Sequence, residues 1–412
     1  MLSKILKPYF QIEKIVLQFI AAEFFIQLVN ASFMMILNIY LSKKGYEDHQ
    51  IADFISLRFL TVMLLAFPLG LFIKGRNLKP LFYIAAIGVF VFSIGILLAA
   101  EFKQIDMIYF SAALWGMCYG IIQVLALPFI IRNASEKTKT AAISLSYATY
   151  SLAMILAGII IFVLNHFNPL YFDEFKCLLL LALLSGISIY FIFKMQQKEV
   201  IPAFEGSRLS LSGFDWGTIA FAMTPSLLLA IGAGLTIPFI NLFFFKVFKM
   251  ESDNFALLNS FSSITVAGAA LLVPHVRAKY GYKIAITRTQ SIAVISLSLL
   301  ACTEFYATYE YSLYFAIFFF LIRQPLMNMA APVSSELVMQ YVGPKNQEII
   351  SALTASIWSG SWFFSALIFS VLRKNGFAYA NVFLITAGIY AIAVLWYHFL
   401  IKAHLAKEQI KN

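Results

Sequence analysis

Charge is scarce in this sequence. Asp, Glu, Lys and Arg make up 12% of its 412 residues, about half the share usual in soluble domains. So few charges could not cover the water-facing surface of a chain this long. Long polar stretches are scarce as well: none exceeds about twenty residues, which leaves no room for a soluble domain of any size. Cysteine is nearly absent. Cys118, Cys177 and Cys302 show no C-x-x-C spacing and no histidine nearby, so neither a disulfide framework nor a metal site is expected. The five histidines (49, 166, 275, 398 and 404) are scattered near the ends of apolar runs, without ligand spacing. No G-x-x-x-x-G-K-[ST], H-E-x-x-H or G-x-S-x-G occurs, so ATP-driven work by this chain alone, zinc hydrolysis and nucleophile-elbow hydrolysis are not expected. The chain reads as neither an enzyme nor a cofactor binder.

What is abundant is apolar. Hydrophobic residues reach 61%, with 42 phenylalanines, and mean hydropathy is +0.84. The apolar residues come in blocks of about twenty, the length a helix needs to cross roughly 30 Å of hydrocarbon. Twelve such blocks can be read: 17–42, 52–73, 81–100, 106–131, 140–165, 176–195, 216–246, 255–275, 283–303, 311–333, 348–372 and 378–402. They are continuous and lack the alternation of a lipid-facing strand, so the expectation is an all-α polytopic membrane protein of 12 transmembrane helices. The first block is too long for a cleavable signal and no small-residue cleavage site follows it.

The longest polar interruption, KMQQKEVIPAFEGSRLSLSGFD (194–215), divides the blocks six and six. It predicts two six-helix bundles, 1–195 and 215–412, joined by a linker at 196–214. The net charge of +10 suits the positive-inside rule better than nucleic acid. Of the 30 Lys and Arg, 20 fall on the side of the two termini and 8 on the other; the remaining two, Arg58 and Arg323, lie inside spans. Both termini are therefore expected in the cytoplasm. A shift of 203 residues pairs Asn38 with Asn241, Lys43 with Lys246, and Lys74 and Arg76 with Arg277 and Lys279. Internal symmetry of this kind is typical of secondary transporters.

With that layout, the chain resembles the major facilitator superfamily over essentially its whole length. The most specific local feature is the basic loop GLFIKGRNLKP (70–80): Gly70 and Arg76 fit the family's loop motif, while Lys74 stands where an acid is usual. A second copy, VPHVRAKYGYK (273–283), keeps Arg277, Lys279, Gly281 and Lys283, again without the acid. The resemblance implies alternating access, with two bundles rocking about a site near the midplane. The missing acid puts the family's loop latch in doubt. The glycine-proline pattern associated with antiporters is also missing from SLAMILAGIIIF, which offers only Gly158.

Charges inside spans are the sharpest functional clue, because each costs on the order of 2.5–3.5 kcal/mol at mid-bilayer. Arg323, in FFFLIRQPLMNMAAP, lies about twelve residues into its span, roughly 18 Å deep. Gln324 and Asn328 accompany it, and Pro325 loosens the helix. These are the leading candidates for substrate contacts; the plainer reading is an Arg that only ties two helices together. Arg58 in DFISLRFLTVML could line a cavity, reach the interface, or pair with Asp53. Glu23, Gln27, Asn30, Met34 and Asn38 follow spacings of 4, 3, 4 and 4, which place them on one helix face. Carboxyl groups in apolar surroundings exchange protons nearer neutral pH, so Glu23 is the candidate for proton coupling, unless it simply reaches the inner interface. In AIGAGLTIPFIN, Gly232, Gly234 and Pro238 suggest an interrupted helix beside Thr236 and Asn241, or a packing notch. Trp358 and Trp362, one turn apart, could line a cavity wall, and Gln123 is a further polar candidate.

The reading that follows is a secondary active transporter of a small organic, acidic solute, coupled to H+, monomeric, in a bacterial inner membrane. Nucleic acid, metal and cofactor are not expected. The competing readings are an efflux carrier for lipophilic compounds and, from another class, a non-transporting receptor on a transporter scaffold.

Overall fold

The computed structural model describes residues 10–73, 76–135, 138–195, 215–343 and 347–411. Each predicted apolar block falls on helix, and no strand occurs among the described residues. In chain order the helices are α1 (Lys14–Lys43), α2 (Asp48–Phe72), α3 (Lys79–Glu101), α4 (Ile105–Asn133), α5 (Lys139–Phe167) and α6 (Glu174–Lys194). They continue as α7 (Trp216–Phe248), α8 (Ser252–Tyr282), α9 (283–302), α10 (Ser312–Val342), α11 (Gln347–Lys374) and α12 (Tyr379–Lys411). Ten helical segments among the described residues are long and apolar enough to cross a bilayer.

The chain chemistry explains where helices start and stop. Glu47 and Gln50 form a capping box at α2, and Asp173 and Asp215 accept from the backbone N–H of Lys176 and Thr218 at the starts of α6 and α7; both devices satisfy amides that a helix start leaves unpaired. Gly281 (φ 69°) separates α8 from α9, and Gly343 (φ 77°) ends α10. Such positive φ values suit glycine, which has no Cβ to clash.

Contacts divide the chain into two compact units. Unit 1 is Met1–Gly206 with Glu251–Ser260; unit 2 is Ser207–Met250 with Phe261–Asn412. The opening residues of α8 thus pack with unit 1: the Ser260 hydroxyl lies 3.2 Å from the Ile155 carbonyl of α5, where Gly158 leaves no room for a side chain. Unit 1 is tied at the α1–α2 end by Lys43, which pairs with Glu174 at 2.6 Å and with Glu251. Lys44 pairs with Glu101 there at 2.6 Å. The linker expected at 196–214 lies outside the described residues.

In α7 the glycines do not break the helix. The α geometry runs to Thr236, and only Ile237–Phe239, around Pro238, tightens into a 3-10 turn. A Cβ on Gly232 would lie 2.5 Å from the Tyr390 ring, and one on Gly234 would lie 3.0 Å from the Trp362 Cα. Both glycines are therefore packing notches, one against α12 and the other against α11.

Candidate functional site

In unit 1 the polar face of α1 turns inward. Glu23, Gln27, Asn30 and Asn38 are buried, and a π-helical turn at Phe33–Leu37 adjusts the register just beyond Asn30. Glu23 does not reach for the interface. It is 6% exposed and accepts a 2.6 Å hydrogen bond from the Ser146 hydroxyl of α5.

Arg58 is the centre of this unit. It neither snorkels nor pairs with Asp53: it is 7% exposed, and its Nη2 donates to Asn30 Oδ1 at 2.6 Å. Asn30 Nδ2 in turn donates to Gln27 Oε1 at 3.2 Å, and the Tyr119 hydroxyl donates to the same oxygen at 2.9 Å. The guanidinium lies 4.2 Å from the Trp115 ring centroid and 5.5 Å from that of Tyr119, two rings stacked 5.3 Å apart within 1° of parallel. Gly116 makes this possible, because any Cβ there would run into the Arg58 carbonyl and come within 3.0 Å of its Cα. The remaining polar capacity of the guanidinium is poorly used. Nη1 has only the Met34 thioether, at 3.5 Å, and Nε has no partner.

In unit 2 Arg323 is 1% exposed. Its Nη1 donates to Gln324 Oε1 at 2.6 Å, its Nε has no partner, and Tyr390 of α12 faces it. Asn328 is exposed and spends its amide on the Gln324 carbonyl at 2.9 Å, so it does not join Arg323. Asn241 is buried, with Oδ1 accepting from the Leu242 N–H at 2.8 Å. Thr236 donates to Thr386 at 2.9 Å. Trp358 is 39% exposed, whereas the backbone at Trp362 closes against Gly234. Gln123 is exposed on α4.

Neither buried arginine forms an ion pair among the described residues; each is held by a neutral carboxamide. A charge in that condition is costly to the fold, since an unpaired buried cation lacks the attraction that offsets desolvation. It retains its attraction for any anionic group that reaches it.

The basic loops are only partly in view. Lys74 lies outside the described residues. Gly70 has open space around it, and Arg76 stacks on the Phe72 ring at 3.9 Å. The end of α2 is instead closed by Arg132 of α4, which donates to the carbonyls of Ile73 and Arg76 at 3.1 Å each. In the second copy Lys279 is exposed. Arg277 lies over the Tyr282 ring at 3.4 Å and pairs with Glu336 of α10 at 3.4 Å. The stretch expected as a loop is instead the end of helix α8, and the acid missing from it is supplied by another helix. Sequence reading missed Arg132, Glu336, Ser146, Tyr119, Trp115 and Tyr390, which are ordinary residues in helical stretches and gain a role only from their neighbours.

The Major Facilitator Superfamily family model matches residues 19–366. No curated protein matches the chain. Among solved structures, a bacterial homologue of the iron transporter ferroportin in an inward-facing state is similar, with TM-score 0.73 and 12% identity over 95% of this chain and 98% of that one. The nucleoside transporter NupG gives TM-score 0.70 and 16% identity, covering 95% and 100% of the two chains. A D-xylose-proton symporter gives 0.70 and 13%, covering 93% and 96%. At these identities the likeness concerns the fold alone.

Proposed function

The chain belongs to the Major Facilitator Superfamily, and from that premise we propose that it carries a small organic anion across the membrane by alternating access, coupled to protons. Membership makes it a multi-pass membrane transporter and not an enzyme. The observation that carries the finer reading is the pair of buried guanidinium groups, Arg58 in one unit and Arg323 in the other, each held by a carboxamide and, among the described residues, neither by a carboxylate. A planar guanidinium suits carboxylate or phosphate oxygens, and such a ligand would supply the missing charge. Glu23, a buried carboxylate with a single serine partner, supports the proton half of the cycle.

In the same reading Gln27 and Asn30 shape the solute site around Arg58, and Gln324 around Arg323. Asn328, Asn241, Gln123, Trp358 and Trp362 are secondary contacts. The protein acts as a monomer in a bacterial inner membrane, with both termini in the cytoplasm and six helices in each half. Reconstitution into proteoliposomes tests this. Uptake of acidic solutes should exceed uptake of neutral and lipophilic ones. Arg58→Gln and Arg323→Gln should each lower it at least tenfold, and Glu23→Gln should uncouple it from an imposed proton gradient. Preferential movement of lipophilic cations or neutral compounds would replace this reading with an efflux carrier.

A further inference from the structure

The two arginines share a chemical detail that residue type alone does not require. Each donates a 2.6 Å hydrogen bond to a side-chain amide oxygen, Arg58 to Asn30 and Arg323 to Gln324. All four side chains belong to membrane-spanning helices, and both arginines are buried. A carboxylate in either amide position would be nearly the same shape and would give the stronger, charge-assisted bond. It would also cancel the positive charge. The carboxamide orients the guanidinium and leaves that charge in place.

We propose that Asn30 and Gln324 are the residues that set the charge preference of the solute, by positioning the two guanidinium groups without neutralising them. This rests on the anionic-solute reading above. In unit 1 the chain of bonds is complete enough to say how it works. Asn30 offers its oxygen to Arg58 and its N–H to Gln27, whose oxygen is also held by the Tyr119 hydroxyl. The amide therefore cannot turn over without losing both bonds, and Arg58 always meets oxygen. What stays unsatisfied on the guanidinium among the described residues is Nε, buried and without a partner, and Nη1, against a thioether. A thioether is a weak acceptor, so a carboxylate or phosphate oxygen displaces it at little cost. With aspartate at position 30 the cation already has its counter-charge. Gln27 can then turn its amide to donate, with the Tyr119 hydroxyl changing from donor to acceptor, so the network survives while the attraction for a solute anion is lost.

The test uses the full-length protein in nanodiscs and matched probe pairs of the same shape and different charge: benzoate with benzamide, and succinate with succinamide. Affinity is read from ligand-dependent thermal shifts. The wild type should prefer the anion of at least one pair by tenfold or more. Asn30→Asp and Gln324→Glu should each reduce that preference below threefold, and their ligand-free melting temperatures should hold or rise, since a lone buried cation gains a partner. Asn30→Ala should bind both members of the pair more weakly yet keep the preference, because the charge remains. Retention of the anion preference by both acidic variants overturns the assignment. So does its loss in Asn30→Ala to the same extent, which would mark a role in packing alone. Absence of any anion preference in the wild type is a different result: it removes the anionic-solute reading itself, and this inference with it.

Discussion

Gly116→Ala is a one-carbon change whose consequence can be worked out from the structure. A Cβ on Gly116 would lie 2.6 Å from Thr61 Oγ and 3.0 Å from the Arg58 Cα, and would run into the Arg58 carbonyl. Comfortable separations are about 3.5–4.0 Å, so α2 and α4 must part by roughly 0.5–1 Å. Overpacking of this kind costs about 1–3 kcal/mol. A gap of that size forfeits about a quarter to a half of the affected van der Waals attraction, and the Trp115 face that Arg58 rests on at 4.2 Å lies directly beside it. For a unit of this size each kcal/mol lowers the melting temperature by roughly 2–4 °C, so a fall of about 2–12 °C is expected. Thermal unfolding in detergent measures it, with Gly388→Ala as control. Gly388 lies inside α12 with nothing within 4 Å of its Cβ position, and alanine there should be neutral or better by up to about 1 kcal/mol. If Gly116→Ala melts with Gly388→Ala, the close approach of α2 to α4 is wrong, and with it the placement of Trp115 under Arg58.

Lys43→Met should destabilise the protein at low ionic strength, because Glu174 and Glu251 lose the cation between them; the difference from wild type in melting temperature should shrink toward zero in about 1 M salt, where screening acts over roughly 3 Å. Glu13 accepts from the Ser135 N–H at 2.9 Å and from the Thr138 hydroxyl at 2.8 Å. Burial pushes its carboxyl up, but these hydrogen bonds outweigh burial and hold it below the usual glutamate value. A depressed value in the folded state gives stability that is present at neutral pH and lost as pH falls through it. Glu13→Gln should therefore melt slightly below wild type at neutral pH, by at most about 1 kcal/mol, and coincide with it in acid; a difference that persists unchanged below the ordinary glutamate range would contradict the sign.

Helix number, helix limits and membrane residence were legible in the sequence, because each follows from a local quantity: the length of an apolar run against the thickness of hydrocarbon. The buried face of α1 was legible too, since Glu23, Gln27 and Asn30 share one side of a helix by spacing alone. So was the oddity of Arg58 and Arg323, because a charge in an apolar run is anomalous wherever the run packs. Gln324 beside Arg323 was legible as its neighbour, but the partners of Arg58 and Glu23 were not. Asn30 reaches Arg58 across 28 residues and Ser146 reaches Glu23 across 123; nothing in either local stretch specifies the other. The same holds for Glu336, which serves Arg277 of α8, 59 residues away, and for Gly232 and Gly234, whose composition fits a break or a notch equally well until Tyr390 and Trp362 are seen against them. Hydropathy is a property of a segment, and the sequence states it outright. Which side chain meets which depends on helices approaching through the third dimension, so only the packed structure decides whether a buried arginine finds a carboxylate or an amide.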